Sequence, residues 1–242
     1  IGSVPRLGGL AIMVGVFLGW ALVAGSGALG LNLNVKGSWP LVWPWFVLTL
    51  PAVLGGAFED VTQRISVLYR LGLTAVSAGL ACWLLDISVV RLGISFVDNW
   101  MLGAPYMGIA LAVLAICGLP HAFNIIDGYN GLAGTVAVMI CLAIVHVALQ
   151  LGDRQLAAML ICLAAATAGF LIWNYPRGLI FAGDGGAYLW GVVIAVASIM
   201  LVQRHPTVSP WFPMLLLIYP VWETLFSIYR KAVRGTSPGV AD

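Results

Sequence analysis

The chain has 242 residues, of which 62% are hydrophobic and 8% charged, with a mean hydropathy of +1.03. Soluble domains carry about 45–50% apolar and about 25% charged residues, so a water-clothed globule is excluded and an integral membrane protein is expected. A net charge of +2 with no like-charge block longer than two residues, as in Arg230 and Lys231, gives no reason to expect a nucleic-acid partner.

A membrane span needs roughly 20 apolar residues, so the chain has room for about eight and none for a separate soluble domain. Hydropathy and breakers place them at 7–28, 41–58, 70–86, 105–123, 131–151, 156–174, 187–203 and 211–229. The expected architecture is an all-α polytopic transmembrane helix bundle, one integral membrane domain over residues 1–242. Arg6, Gly8 and Gly9 open the first span, in which Gly15 and Gly19 suit close helix packing, as Gly72 and Gly79 do in the third. The second span ends at Glu59 and Asp60. Residues 87–104 contain β-branched and Gly positions that alternate in places and read as a short hairpin. Trp39, Trp43, Trp45, Trp100 and Trp211 lie near span ends, as an interfacial aromatic belt requires. Cys82, Cys117, Cys141 and Cys162 all fall inside apolar runs and read as buried hydrophobes.

With eight spans both termini share a side, and the loops divide into two sets. The set 1–6, 59–69, 124–130, 175–186 and 230–242 carries Arg6, Arg64, Arg177, Arg230, Lys231 and Arg234, with Arg70 at its edge. The opposite loops carry Lys36, Arg91, Arg154 and Arg204. Positive charge favours the cytoplasmic side, so the first set is expected there.

Glu59, Asp60, Asp127 and Asp184 come from three loops of that same set, each beside glycines that allow close backbone approach and leave helix-start amides for an anion. Carboxylates gathered in one cleft repel by about 4 kcal/mol per close pair at an effective dielectric near 20, and a divalent cation removes that repulsion. Hard oxygen ligands suit Mg²⁺, with Mn²⁺ as the alternative. Arg6, Arg64, Arg177, Arg230 and Lys231 add phosphate-binding groups. Acids, arginines and Gly-rich helix starts on one face point to metal-assisted chemistry on a diphosphate.

The runs VPRLGGLAI (4–12), EDVTQRIS (59–66), HAFNIIDGYNGLAG (121–134), FLIWNYPRGLIFAGDGGAYLWG (170–191) and YPVWETLFSIYRKAVRGTSP (219–238) together resemble the polyprenyl-phosphate N-acetylhexosamine-1-phosphate transferases. The resemblance implies that a polyprenyl phosphate attacks the β-phosphorus of a UDP-N-acetylhexosamine at the cytoplasmic face of a bacterial inner membrane, releasing UMP with the help of Mg²⁺. It implies catalytic roles for Glu59, Asp60 and Asp127, with Glu59 standing where Asp is usual. Metal binding falls to Asp184, in the FxGDxG pattern, together with Asp127. Substrate contacts fall to Arg6, Asn124, Asn130, Asn174, Arg177, Arg230 and Lys231, with bracing of a loop as the other role open to Asn174. Asn130 replaces a common Asp, and His121 stands where Asn is common; both suggest the O-antigen-initiating branch. Glu223, in or near a span interrupted by Pro220, reads as a structural pairing residue, and His146 as a packed one.

The family normally has a span before VPRLGG and a His-containing loop after the TSP run, so the sequence is expected to lack both, and an inactive fragment is one alternative. An ion-coupled transporter is another, although its acids belong near the bilayer midplane and these lie at span ends. A CDP-alcohol phosphotransferase is disfavoured, because Asp127–Gly128 is followed by no Arg and no further Asp through Gln150. Expected partners are the lipid acceptor, the nucleotide sugar and the membrane, with a homodimer as a further arrangement.

Overall fold

Seven of the expected apolar segments form unbroken helices long enough to cross a bilayer among the described residues. The computed structural model describes residues 4–26 and 39–235. In chain order the helices are α1 (Gly8–Gly25), α2 (Trp39–Thr62), α3 (Val67–Leu85), α4 (Ser95–Leu102), α5 (Pro105–Ile126), α6 (Leu132–Gln150), α7 (Arg154–Asn174), α8 (Gly183–Arg204), α9 (Trp211–Leu216) and α10 (Ile218–Val233), and no strand occurs among the described residues. Lys36, the first span beyond Ser26, and Thr236–Pro238 of the last motif lie outside them.

Two expectations are corrected. The segment at 211–229 is not one span: it breaks at Leu217 into α9 and α10. Pro220 has no N–H to give the Leu216 carbonyl one turn back, so the ladder fails there, although Pro44, Pro51 and Pro120 are carried inside α2 and α5. The expected hairpin at 87–104 is instead an irregular segment followed by α4. There the Asp98 carboxylate accepts the amides of Leu92 at 2.6 Å and Gly93 at 3.0 Å, closing the turn that a strand would have kept open.

Helix α8 is the axis of the bundle, buried from Gly185 through Ser198 and packed by α1, α2, α3, α5, α6 and α7. Glycine makes this possible. A Cβ on Gly56 would meet the backbone of Asp184 and Gly185, so α2 can lie directly on the start of α8 only without one. Large side chains fill the rest: Trp190 is fully buried and its indole N–H donates to Thr167 Oγ1 at 2.9 Å. Trp20 donates to the Met159 carbonyl at 3.0 Å. Trp45, expected in the aromatic belt, is instead 1% exposed against Trp20, while Trp39, Trp43, Trp100 and Trp211 are exposed.

The loops lie at two ends of the bundle. At one end Gly8 and Gly9 donate to the carbonyls of Phe181 and Ala182 at 2.9 and 2.8 Å, and Phe181 donates to Pro5 at 3.0 Å, so the chain start is laced to the loop before α8. At the other end Asp153 caps α7 through the Leu156 amide at 3.0 Å and meets Arg204 and His205 at 3.2 Å each. Arg91 there donates to four carbonyls between Val202 and Val208.

Candidate active site

The site is built where α2 and α5 end and α3 and α8 begin. Asp60, in the last turn of α2, reaches across to the first turn of α8: Oδ1 accepts the Asp184 amide at 2.9 Å and Oδ2 the Gly185 amide at 3.0 Å. An unpaired helix N-terminus attracts a carboxylate because its first amides lack partners and carry partial positive charge. The expectation that this glycine-rich start leaves those amides to a substrate anion is therefore corrected, since the protein's own carboxylate takes two of them. Gly183, at φ +68°, makes the turn, and a Cβ there would stand 2.5 Å from both Asp60 oxygens.

Glu59 is also bound to backbone: Oε2 accepts the Ile65 amide at 2.7 Å and closes the loop between α2 and α3. That loop turns at Gln63, which has φ +52°, and delivers Arg70 into the first turns of α3. Arg70 Nη1 forms an ion pair with Asp184 Oδ2. Arg70 was placed only at the edge of the basic loop set by sequence. Its signal was position, because a cation inside an apolar helix needs a partner and marks a site by default.

Asp127 follows the C-terminus of α5. Burial, and after it the negative charges of Asp60 and Asp184, push its carboxyl up to about 7. Three acids from three chain segments thus feel one another, as the sequence required. Arg6 faces Asp60 electrostatically and lines with it a cavity of about 460 Å³, together with Val4, Pro5, Leu7, Val61, Gln63 and Phe181. Asn124, one turn before Asp127, reaches the Tyr188 hydroxyl.

The remaining expected residues divide. Asn174 is 5% exposed and fully used: Oδ1 accepts the Gly131 amide at 2.5 Å and Nδ2 donates to the Ile180 carbonyl at 2.9 Å. It braces the loops around the site, the second of the two roles expected of it. Asn130 is exposed and donates to the Pro176 carbonyl at 3.2 Å. Arg64 and Arg177 are exposed at the same end. Arg230 and Lys231 occupy the last turn of α10, with the Arg230 guanidinium 5.9 Å above the Phe226 ring. His146, expected to be packed, is instead exposed on α6 and paired with Gln150 at 3.1 Å, and Glu223 is half-buried on α10.

Among the described residues no three His, Cys, Asp or Glu side chains form a ready metal cage. The donor set nonetheless suits Mg²⁺, which takes one or two carboxylates and completes its shell with water and phosphate oxygens. Both bonds that protein groups make to Asp184 go to Oδ2, which leaves Oδ1 for a ligand. The excess negative charge that raises Asp127 is what a dication would neutralise.

The fold is that of a polytopic membrane protein, with carboxylates and arginines converging at one set of helix ends. The comparisons narrow the class: this chain belongs to glycosyl transferase family 4, whose model matches residues 42–202. It is 30% identical to a protein of Bacillus subtilis named a probable undecaprenyl-phosphate N-acetylglucosaminyl 1-phosphate transferase, over 94% of this chain and 60% of that one. It is 27% identical to the undecaprenyl-phosphate alpha-N-acetylglucosaminyl 1-phosphate transferase of Thermotoga maritima, over 81% of this chain and 57% of the relative. It is 28% identical to the phospho-N-acetylmuramoyl-pentapeptide-transferase of Moorella thermoacetica, over 81% and 61%. The chain thus spans about three fifths of the length of these curated relatives.

Proposed function

We propose that this protein transfers an N-acetylhexosamine-1-phosphate from a UDP-sugar to a polyprenyl phosphate, at the cytoplasmic face of a bacterial inner membrane. The observation that carries the reading is the convergence of Asp60, Asp127 and Asp184 with Arg70 and Arg6 at the ends of α2, α5 and α8 in a chain of this family. An oxygen of the lipid phosphate attacks the β-phosphorus of the donor, a new P–O bond forms, and the bond to the bridging oxygen breaks. UMP leaves with that oxygen.

Positioning and charge neutralisation carry most of such a transfer. Asp127, poised near 7, lies close to the second ionisation of a phosphate ester at about 6, so it can take the acceptor's proton without holding it too tightly. Asp184 Oδ1 and the nearby acid charge would hold Mg²⁺, which when bound supplies charge to the diphosphate oxygens. Asp60 fixes Asp184 by clamping its amide, and Glu59 fixes the loop that carries Arg70. Asn124, Asn130 and Arg177 stand on the rim for the nucleotide and its phosphates.

The acceptor needs room for a long apolar chain. A cavity of about 550 Å³ lies between α5, α8, α9 and α10, running from Arg91 and Pro210 at the far end to Ala122, next to His121. Its lining is almost wholly apolar, which suits isoprene units continuing from a phosphate held at the site.

The test is release of UMP from a set of UDP-sugars by the purified protein in lipid, with and without polyprenyl phosphate and Mg²⁺. UMP that appears only with both, and vanishes in Asp184→Asn, is the expected result. No UMP from any donor, with substrate-dependent ion flux in proteoliposomes, would replace the transferase by a transporter.

A further inference from the structure

Behind Asp184 lies a chain of three side chains, Tyr188, His121 and Thr74, to which the proposed transfer gives no part. Tyr188 is one helical turn further along α8 and 1% exposed, and its hydroxyl donates to Asp184 Oδ2 at 3.4 Å. The same hydroxyl meets the Asn124 side chain and stands 3.5 Å from His121 Nδ1. The two rings pack edge to face, with centroids 5.1 Å apart. On its other side His121 Nε2 lies 3.2 Å from Thr74 Oγ1. The Tyr188 hydroxyl's single proton goes to Asp184, so His121 holds that hydroxyl by donating from Nδ1–H; in that tautomer Nε2 accepts, and Thr74, whose hydroxyl also lies 2.9 Å from the Leu71 carbonyl, turns its proton to Nε2.

The chain therefore runs Thr74, His121, Tyr188, Asp184, and it ends on the oxygen that Arg70 also holds. Arg70 pulls that carboxylate toward α3, whereas Tyr188 ties it to its own helix. With Oδ2 fixed from two directions, the torsions of Asp184 are set and Oδ1 is presented in one orientation. Hydrogen bonds to a ligating carboxylate from behind tune cation affinity by about 10–100-fold in metal sites.

The geometry points to Tyr188, backed by His121, as a positioning pair that orients Asp184 Oδ1 for the divalent cation. Neither residue touches the reacting atoms. A buried tyrosine also needs a partner merely to satisfy its hydroxyl, and a role of that kind would alter stability without altering the cation.

This inference rests on the reading of Asp184 as the cation's ligand, and the experiment separates the two. Mn²⁺ binding to the purified protein, read as loss of the free-ion signal in electron paramagnetic resonance, needs no turnover and no substrate. Asp184→Asn should abolish binding; unchanged binding there would remove Asp184 from the cation, and the positioning pair with it. Tyr188→Phe should weaken Mn²⁺ about tenfold, and His121→Ala should weaken it several-fold. In the double variant His121→Ala should add nothing, because it acts through the hydroxyl already removed. His121→Gln, which keeps a polar group toward Tyr188, should recover most of the affinity. Loss of binding in Asp184→Asn alongside wild-type affinity in both Tyr188→Phe and His121→Ala would overturn the pair and leave the reading of Asp184 standing. If Tyr188→Phe does not fold, the contrast between His121→Ala and His121→Gln decides it: equal affinities overturn the proposal.

Discussion

Asp60 holds Asp184 by its backbone, not by its side chain: the carboxylate on α2 accepts the Asp184 amide at 2.9 Å and the Gly185 amide at 3.0 Å. Two acids that would repel as free side chains are thus joined through the positive end of a helix. The side chain of Asp184 is left to Arg70, Tyr188 and a ligand. Of the adjacent acids Glu59 and Asp60, Asp60 thus also fixes the helix start that carries Asp184.

Asp60→Asn tests this fixture. An amide offers one acceptor where a carboxylate offers two, and its N–H₂ would face a backbone N–H. One buried amide loses its partner, at a cost of about 1–3 kcal/mol. The expected outcome is a lower thermal midpoint together with a fall of at least tenfold in UMP release, because the Asp184 backbone shifts. Equal activity per folded molecule in Asp60→Asn would show that the clamp does not aim Asp184.

Gly183→Ala attacks the same contact from the other side. At φ +68° an L-residue is strained by about 1–2 kcal/mol, and the added Cβ would sit 2.5 Å from the Asp60 oxygens. The two contributions can be separated. In an Asp60→Ala background the collision with the carboxylate disappears, while the contact with the Arg6 carbonyl at 2.6 Å and the backbone strain remain, so the drop in thermal midpoint caused by Gly183→Ala should shrink. An unchanged drop would mean that the carboxylate is not what the methyl meets.

Much of this was legible before any coordinates. Apolar runs gave seven spans to within a few residues, and their alternation put Asp60, Asp127 and Asp184 at one end. What sequence could not show were relationships set by close approach. That Asp60 reaches α8 depends on Gly56 lying against the Asp184 backbone, and nothing in a glycine says which helix will fill its place. Arg70 looked like the edge of a basic loop because its partner is 114 residues away. Thr74, His121 and Tyr188 sit in separate apolar runs, where each alone reads as a packed residue. Pro220 was visible as an interruption of the last span, but hydropathy averages over it and does not count the hydrogen bond it removes, so the break at Leu217 did not show.

The raised carboxyl of Asp127 predicts a pH signature in metal-free protein. Its folded value of about 7 lies above the ordinary 3.8, so the folded state holds the proton more tightly than the unfolded chain. Stability contributed by the protonated form is complete below about pH 4 and is lost as pH rises toward 7. Asp127→Asn should therefore match wild type near pH 4 and exceed it by a few degrees in thermal midpoint at pH 8. Unfolding scans in chelator at the two pH values check this, and a gap that is largest at acid pH would contradict it. Adding Mg²⁺ at pH 8 should narrow the gap by stabilising wild type.

A last prediction uses the far end of the bundle as the control for all the others. Asp153 is bound by the Leu156 amide, Arg204 and His205. Burial pushes its carboxyl up, but the Leu156 amide and the two basic groups outweigh that and hold it below the usual range. Its contribution is present above the ordinary carboxylate value and fades as pH falls through the depressed one, the opposite sense to Asp127. Asp153→Ala removes a helix cap, which costs about 1 kcal/mol, and also leaves Arg204 without its acid. The thermal midpoint should fall by a few degrees at pH 7, while UMP release per folded molecule stays at the wild-type level, since Asp153 caps the end of α7 opposite to Asn174 and the site. If Asp153→Ala lowered that release as much as Asp60→Asn does, loss of stability alone would explain both, and the clamp on Asp184 would have no special claim on activity.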